Sequence, residues 1–276
     1  MYLRIALLVA SVAALLLVQP APAAVPHRII SLSPTATESL FAIGAGKQVV
    51  AVDDQSDYPK RAPRTTLSGV TPNVEAIAAY HPDLVVVQYD SGGVVQALGK
   101  LNIRVLVQPS AKNLKAAYAQ IAQLGALTGH KQGAVAVVAR MKHAIAKAIR
   151  SRPSRVLSVY HELSPDYYSA TSRTFIGGIY KLFGLRNIAD AADSTGSGYP
   201  QLSEEYIISA NPSLIVLADT RCCGQSASSV AKRPGWGGIA AVRTGSVVAI
   251  DDSVASRWGP RVVQFVQAIA KVLRKR

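Results

Sequence analysis

A fourteen-residue pattern occurs twice in this chain: residues 74–87 read VEAIAAYHPDLVVV, and residues 204–217 read EEYIISANPSLIVL. In each, a Glu (Glu75, Glu205) opens a short apolar run at helical spacing, and a Pro (Pro82, Pro212) follows seven residues after it. Proline lacks an N–H and its ring clashes with the preceding turn, so it stops the helix. Branched apolar residues close each copy, the mark of a strand buried on both faces. Helix, stop and buried strand, twice in the same order and spacing, point to two related halves.

The flanking sequence alternates in the same way. A strand is expected at 28–32, then Ser33-Pro34 and a helix to Ala42, with Thr35 and Glu38 spaced as a capping box. Strands follow at 48–52 and 103–107, and helices at 94–100 and 114–127. Residues 131–150 differ: they hold no Pro and keep helical period, enough for a helix of about 30 Å. Ser151-Arg152-Pro153-Ser154 ends it. Beyond lie expected strands at 155–160, 213–218 and 246–250, with helices at 175–183, 204–210 and 261–276. The fold class is therefore α/β: two similar α/β lobes with mostly parallel sheets, joined by one long helix. The expected boundaries are 25–129 for the first lobe, 130–152 for the linking helix and 153–276 for the second lobe.

Residues 1–24 read as a targeting segment. Arg4 supplies the positive start, Ile5–Val18 the apolar core, and Ala21-Pro22-Ala23 a small-residue cleavage signal, with cleavage expected after Ala23 or Ala24. The apolar run is shorter than the ~20 residues needed to span a bilayer. The expectation is an exported chain, periplasmic or otherwise extracytoplasmic, soluble after cleavage. Net charge is +14, but only the C-terminal LRKR is a tight basic cluster and no stacking aromatics accompany it, so no nucleic acid partner is expected.

The only cysteines, Cys222 and Cys223, are neighbours. An exported protein meets an oxidising compartment, which favours a disulfide. Adjacent Cα atoms lie about 3.8 Å apart, below the usual disulfide range, so two free thiols or an intermolecular link are the alternatives. A vicinal disulfide is expected, because free paired thiols would not persist outside the cytoplasm. There is no Gly-x-Ser-x-Gly elbow, no His-Glu-x-x-His and no Gly-rich phosphate loop. No catalytic residue, cofactor or metal cluster is expected, and the lone histidines His81 and His161 read as structural, as does Trp236.

The segments IISLSPTATESLFAIGAG, SDYP (Ser56–Pro59), NVEAIAAYHPDLVVV, LSEEYIISANPSLIVL and WGPRVVQFVQAIA run in order along nearly the whole chain. Together they resemble the ABC-transporter substrate-binding proteins of the helical-backbone class, which take up vitamin B12, ferric siderophores and haem. Within that class the chain is most similar to vitamin B12-binding proteins. The resemblance implies a monomer that carries a corrinoid, or alternatively a siderophore or haem, to an ABC permease dimer. It also implies that Glu75 and Glu205 dock onto Arg residues of the two permease subunits.

Ligands of such sheets sit beyond the carboxyl ends of the strands. That rule selects Ser33, Pro34, Gln88, Tyr89, Tyr168, Cys222, Cys223, Arg257 and Trp258 as candidate ligand-binding residues. Tyr89, Tyr168 and Trp258 would give aromatic faces. Arg257 and Asp252 would give polar anchors.

Overall fold

The computed structural model describes residues 24–275. The expected targeting segment lies, but for Ala24, outside the described residues. Among the described residues no helix is long and apolar enough to cross a membrane.

The first lobe contains β1 (Ile29–Leu32), α1 (Pro34–Ile43), β2 (Val49–Val52), α2 (Val74–Ala78), β3 (Leu84–Val87), α3 (Val94–Lys100), β4 (Arg104–Val107) and α4 (Leu114–Leu127). The long helix α5 (Lys131–Ala148) follows. The second lobe contains β5 (Ser158–Glu162), α6 (Phe175–Leu182), β6 (Arg186–Asn187), α7 (Glu204–Ala210), β7 (Leu214–Leu217), α8 (Thr220–Cys223) and α9 (Ala227–Ala231). It ends with α10 (Ala240–Arg243), β8 (Val247–Ala249), α11 (Asp252–Ser256) and α12 (Val262–Leu273).

Each lobe has a four-stranded sheet, ordered β2-β1-β3-β4 in the first and β6-β5-β7-β8 in the second. All pairings are parallel. The two orders are the same, so the repeated motif marks equivalent places in two copies of one topology. Strands β3 and β7, which close the two motifs, are buried at every residue. Just before each motif's Pro, His81 and Asn211 take left-handed backbone angles (φ 48° and 44°). The residue before a proline is disfavoured in the right-handed helical region, so both chains turn there rather than continue. His81 is thus a turn residue.

The largest buried cluster crosses between the lobes. It runs from Leu40 and Val86 through Val137 and Met141 of α5 to Phe265 of α12. Helix α5 comes so close to the end of α1 that a Cβ on Gly133 would lie 2.0 Å from the Ile43 carbonyl oxygen. A shared core of this kind leaves little room for a wide hinge.

Two sequence expectations are corrected. Thr35 does not cap α1: Ser33 does, its Oγ accepting from the Ala36 N–H, and Glu38 points instead into an ion-pair cluster. Strand β5 runs through His161 and Glu162 rather than starting at Arg155, because those polar residues find buried partners and pair with β7. The short elements β6 and α8 to α11 lie in stretches where the periodicity was too brief to mark them.

Candidate functional site

The carboxyl ends of both sheets face a common cleft. Its polar half is a cavity of about 500 Å³ bordered by Asp54, Gln55 and Asp57 of the first lobe and by Arg221, Cys222 and Arg257 of the second. Its less polar half is a cavity of about 470 Å³ bordered by Ser110 and Ala111 on one side and by Phe175, Tyr199 and Trp258 on the other. Ser256 borders both.

Trp258 forms the floor of the less polar half. It is buried beside Ala111, Ala117 and Phe175, and its indole Nε1–H donates to Gln120 Oε1 at 2.8 Å. Gln88 reaches this half through Ser110, whose Oγ accepts from Gln88 Nε2 at 3.2 Å. Tyr89 is exposed just past β3 and Tyr168 is exposed in the segment between β5 and α6; neither borders either cavity. Pro34 is the first residue of α1, and Ser33 is buried beneath it in its capping role.

The cysteines are joined as a vicinal disulfide on the exposed turn α8. The carboxylate of Asp252 fixes that turn, accepting from the backbone N–H groups of Thr220 (2.7 Å), Arg221 (3.0 Å) and Cys222 (2.8 Å). Burial acts against its charge, but these donors outweigh it and hold Asp252 below the usual carboxylate range. Asp252 therefore positions the disulfide and has little capacity left as a free anchor.

Arg257 is likewise committed. One Nη donates to Glu38 Oε1 at 3.0 Å and to Asp57 Oδ1 at 2.8 Å, and the other donates to the Gln55 carbonyl at 2.9 Å. Arg261 reaches the same Glu38 oxygen at 2.5 Å, and Arg221 pairs with Asp57 at 2.6 Å. Three second-lobe arginines thus grip two first-lobe carboxylates. Burial pushes the Asp57 carboxyl up, but Arg221 and Arg257 outweigh it and bring it down to about 2. Strand-end position marks Arg257, Gln55 and Arg221 in the sequence, but not Asp57, Glu38 or Arg261. Asp57 stood within SDYP, and Glu38 had been assigned to a cap.

A second buried network lies beneath the disulfide turn. Glu162 receives both Nη groups of Arg233, at 2.7 and 2.6 Å, and Arg233 lies over the Trp236 ring at 4.5 Å. Asp219 is fully buried beside them, and neither of its carboxylate oxygens has a hydrogen-bond partner. Burial and the nearby Glu162 push its carboxyl up to about 7. His161 is in the core, sharing a 2.6 Å hydrogen bond with the Tyr180 hydroxyl, and burial holds its imidazole down at about 3. It does not reach the cleft.

Glu75 and Glu205 are exposed in the first turns of α2 and α7. Each of these helices leads into a parallel strand, so its N-terminal turn lies toward the carboxyl ends of the sheet, the end that carries the cleft.

With this geometry in place, comparison with known proteins identifies the class. The chain belongs to the periplasmic binding protein family, which matches over residues 29–254. It is 32% identical over 258 residues to an uncharacterized ABC transporter substrate-binding lipoprotein of Bacillus subtilis, covering 89% of this chain and 79% of that one. It is 33% identical over 255 residues to a cobalamin-binding protein of Halobacterium salinarum, covering 89% and 69%. Among solved structures, the periplasmic haem-binding protein HutB of Vibrio cholerae superposes with a TM-score of 0.79 at 24% identity, over 89% of this chain and 98% of that one. That last likeness bears on the fold alone. The named relatives are binding and transport proteins.

Proposed function

We propose that this protein is a monomeric extracytoplasmic solute-binding protein that holds a corrinoid in the cleft between its lobes and delivers it to an ABC importer. The observation that carries the reading is the two-sided cleft, with the aromatic rings of Phe175, Tyr199 and Trp258 beside Lys112 and Arg173 on one side of Ser256, and Gln55, carboxylates and arginines on the other. A corrinoid is a broad, flat ring with apolar faces and an amide-rich rim, and a mixed cleft of this kind matches both. The cobalamin-binding relative supports the same choice. Delivery would proceed through Glu75 and Glu205, whose charge-assisted bonds to arginine would set the orientation on a two-subunit permease.

Titration of the protein with cyanocobalamin, followed by tryptophan fluorescence, tests this directly. Trp236 is fully buried away from the cleft, so the response comes from Trp258. Saturable one-to-one binding is expected, with haem and a ferric hydroxamate inert. Binding of either iron compound without a corrinoid response would overturn the ligand assignment.

A further inference from the structure

Between α4 and α5 runs an apolar groove of about 630 Å³ that is separate from the cleft. Tyr118, Ala122 and Ala126 form its α4 wall, and Val135 and Val138 its α5 wall. Lys131 and Lys142 stand at its two ends, eleven residues or about 16 Å apart along α5. The Lys142 ammonium lies 5.4 Å from the centre of the Tyr118 ring. Val135 is 70% exposed.

A surface helix normally shows charged residues on its outer face. From Ala116 to Leu127 α4 has none, and its exposed positions include Ala119, Ala122 and Ala126. The wider sequence is one-sided in charge as well. From Ser91 to His161 there is no Asp or Glu, while Lys and Arg number eleven. Both helices fall inside this stretch, so no carboxylate of their own opposes an anionic partner.

We infer that the α4–α5 face docks on an anionic phospholipid bilayer. Val135, Val138 and Tyr118 would enter the boundary between headgroups and acyl chains, while Lys131 and Lys142 reach outward to lipid phosphates. The apolar stripe spreads across two helices, and Val135, at 70% exposed, is the side chain on it best placed to enter a lipid surface. Acidic lipid complements the cations at both ends. Glu75 and Glu205 lie on α2 and α7, so this surface is distinct from the proposed permease contacts. It would keep the exported protein beside the membrane that houses the importer.

The test is co-sedimentation of the exported protein with vesicles of phosphatidylcholine containing about one-third phosphatidylglycerol, against vesicles of phosphatidylcholine alone. Binding is expected only to the anionic vesicles, weakening as salt rises. Reversing both groove lysines (K131E/K142E) should lower the partition coefficient by about tenfold or more, and Val135→Asp should lower it as well. The control K100E/R104E changes basic residues on α3 and β4 and should leave binding nearly intact. All variants carry the same N-terminal sequence, so its contribution cancels. Circular dichroism and cyanocobalamin binding confirm that each is folded. Equal binding to both vesicles, equal loss in the control, or binding to a poly-glutamate peptide but not to vesicles would each overturn the proposal.

Discussion

Arg257 Nη1 lies 2.8 Å from Asp57 Oδ1, an ion pair that crosses from the second lobe to the first at the edge of the cleft. The same nitrogen also reaches Glu38, which Arg261 grips independently. Glu38 is buried almost completely, and among the described residues its charge is balanced by Arg257 and Arg261 of the opposite lobe. The lobes are therefore clamped by charge as well as by their shared core.

Removing Glu38 takes the carboxylate from Arg261 in a largely buried setting, while Arg257 keeps Asp57 and the Gln55 carbonyl. Glu38→Ala should destabilise the fold by about 3 kcal/mol, the scale for breaking a buried ionic cluster by taking one partner. Arg257→Ala should cost less, because Arg261 still neutralises Glu38. Urea denaturation of both variants, with the double variant, measures the difference. An equal cost for the two would show that Arg261 does not share the load.

The disulfide turn should matter more to ligand than to stability. Asp252 already fixes the turn through three backbone N–H groups, and the bond closes the shortest loop a chain can make. Replacing both cysteines by Ser should shift the thermal midpoint by only a few degrees, roughly 1 kcal/mol or less. Corrinoid affinity should drop on the order of tenfold if Cys222 touches the ligand. Calorimetric titration decides it, and unchanged affinity would remove the cysteines from the binding site.

One buried carboxyl should make stability decline as pH rises from acid towards neutral. Asp219 has its carboxyl pushed up from 3.8 to about 7, so across that interval the native state holds a proton that the unfolded chain has released. Its contribution is complete below pH 4 and is lost on passing pH 7. Asp53, raised to about 6 mainly by burial, acts in the same direction. Asp57 acts oppositely, adding stability above pH 4 that disappears as pH falls to about 2. His161, held down at about 3, acts against this fall up to about pH 6.5. Thermal midpoints measured across pH 5 to 8 should therefore rise with pH in Asp219→Asn relative to the parent; identical slopes would contradict the assignment.

Glu75→Ala and Glu205→Ala should leave ligand affinity unchanged, since neither residue borders the cleft. Delivery to a reconstituted importer should decrease for each and fall further for the pair. A loss of ligand binding in the single variants would place these residues in the site instead.

The fold was legible in the sequence because its signals are local and repeated. The helix, Pro and strand of each motif set the topology, and the bounds of α3, α4 and α7 follow from apolar spacing alone. The site was legible only in part. Strand-end reasoning reached Gln88, Cys222, Arg257 and Trp258, all of which lie at or next to the cleft. It could not show that Arg257 and Asp252 are already engaged, since their partners stand 200 and about 30 residues away in sequence. Glu38 was misread for the related reason that a capping-box spacing is a local pattern, and the residue's actual partners are distant. Phe175 and Tyr199 gave no signal, because they flank the cleft from loops and a helix end rather than from strand ends.

The position of Ser256, shared by both halves of the cleft, has a consequence for cargo size. Ser256 is the residue the two cavities have in common, so a small side chain there keeps the boundary between them low. A bulky side chain would build a partition, leaving two compact compartments with different tastes in polarity. Widening or narrowing the opening at Ser256 would therefore change which lengths of cargo fit, with the walls of either half left as they are.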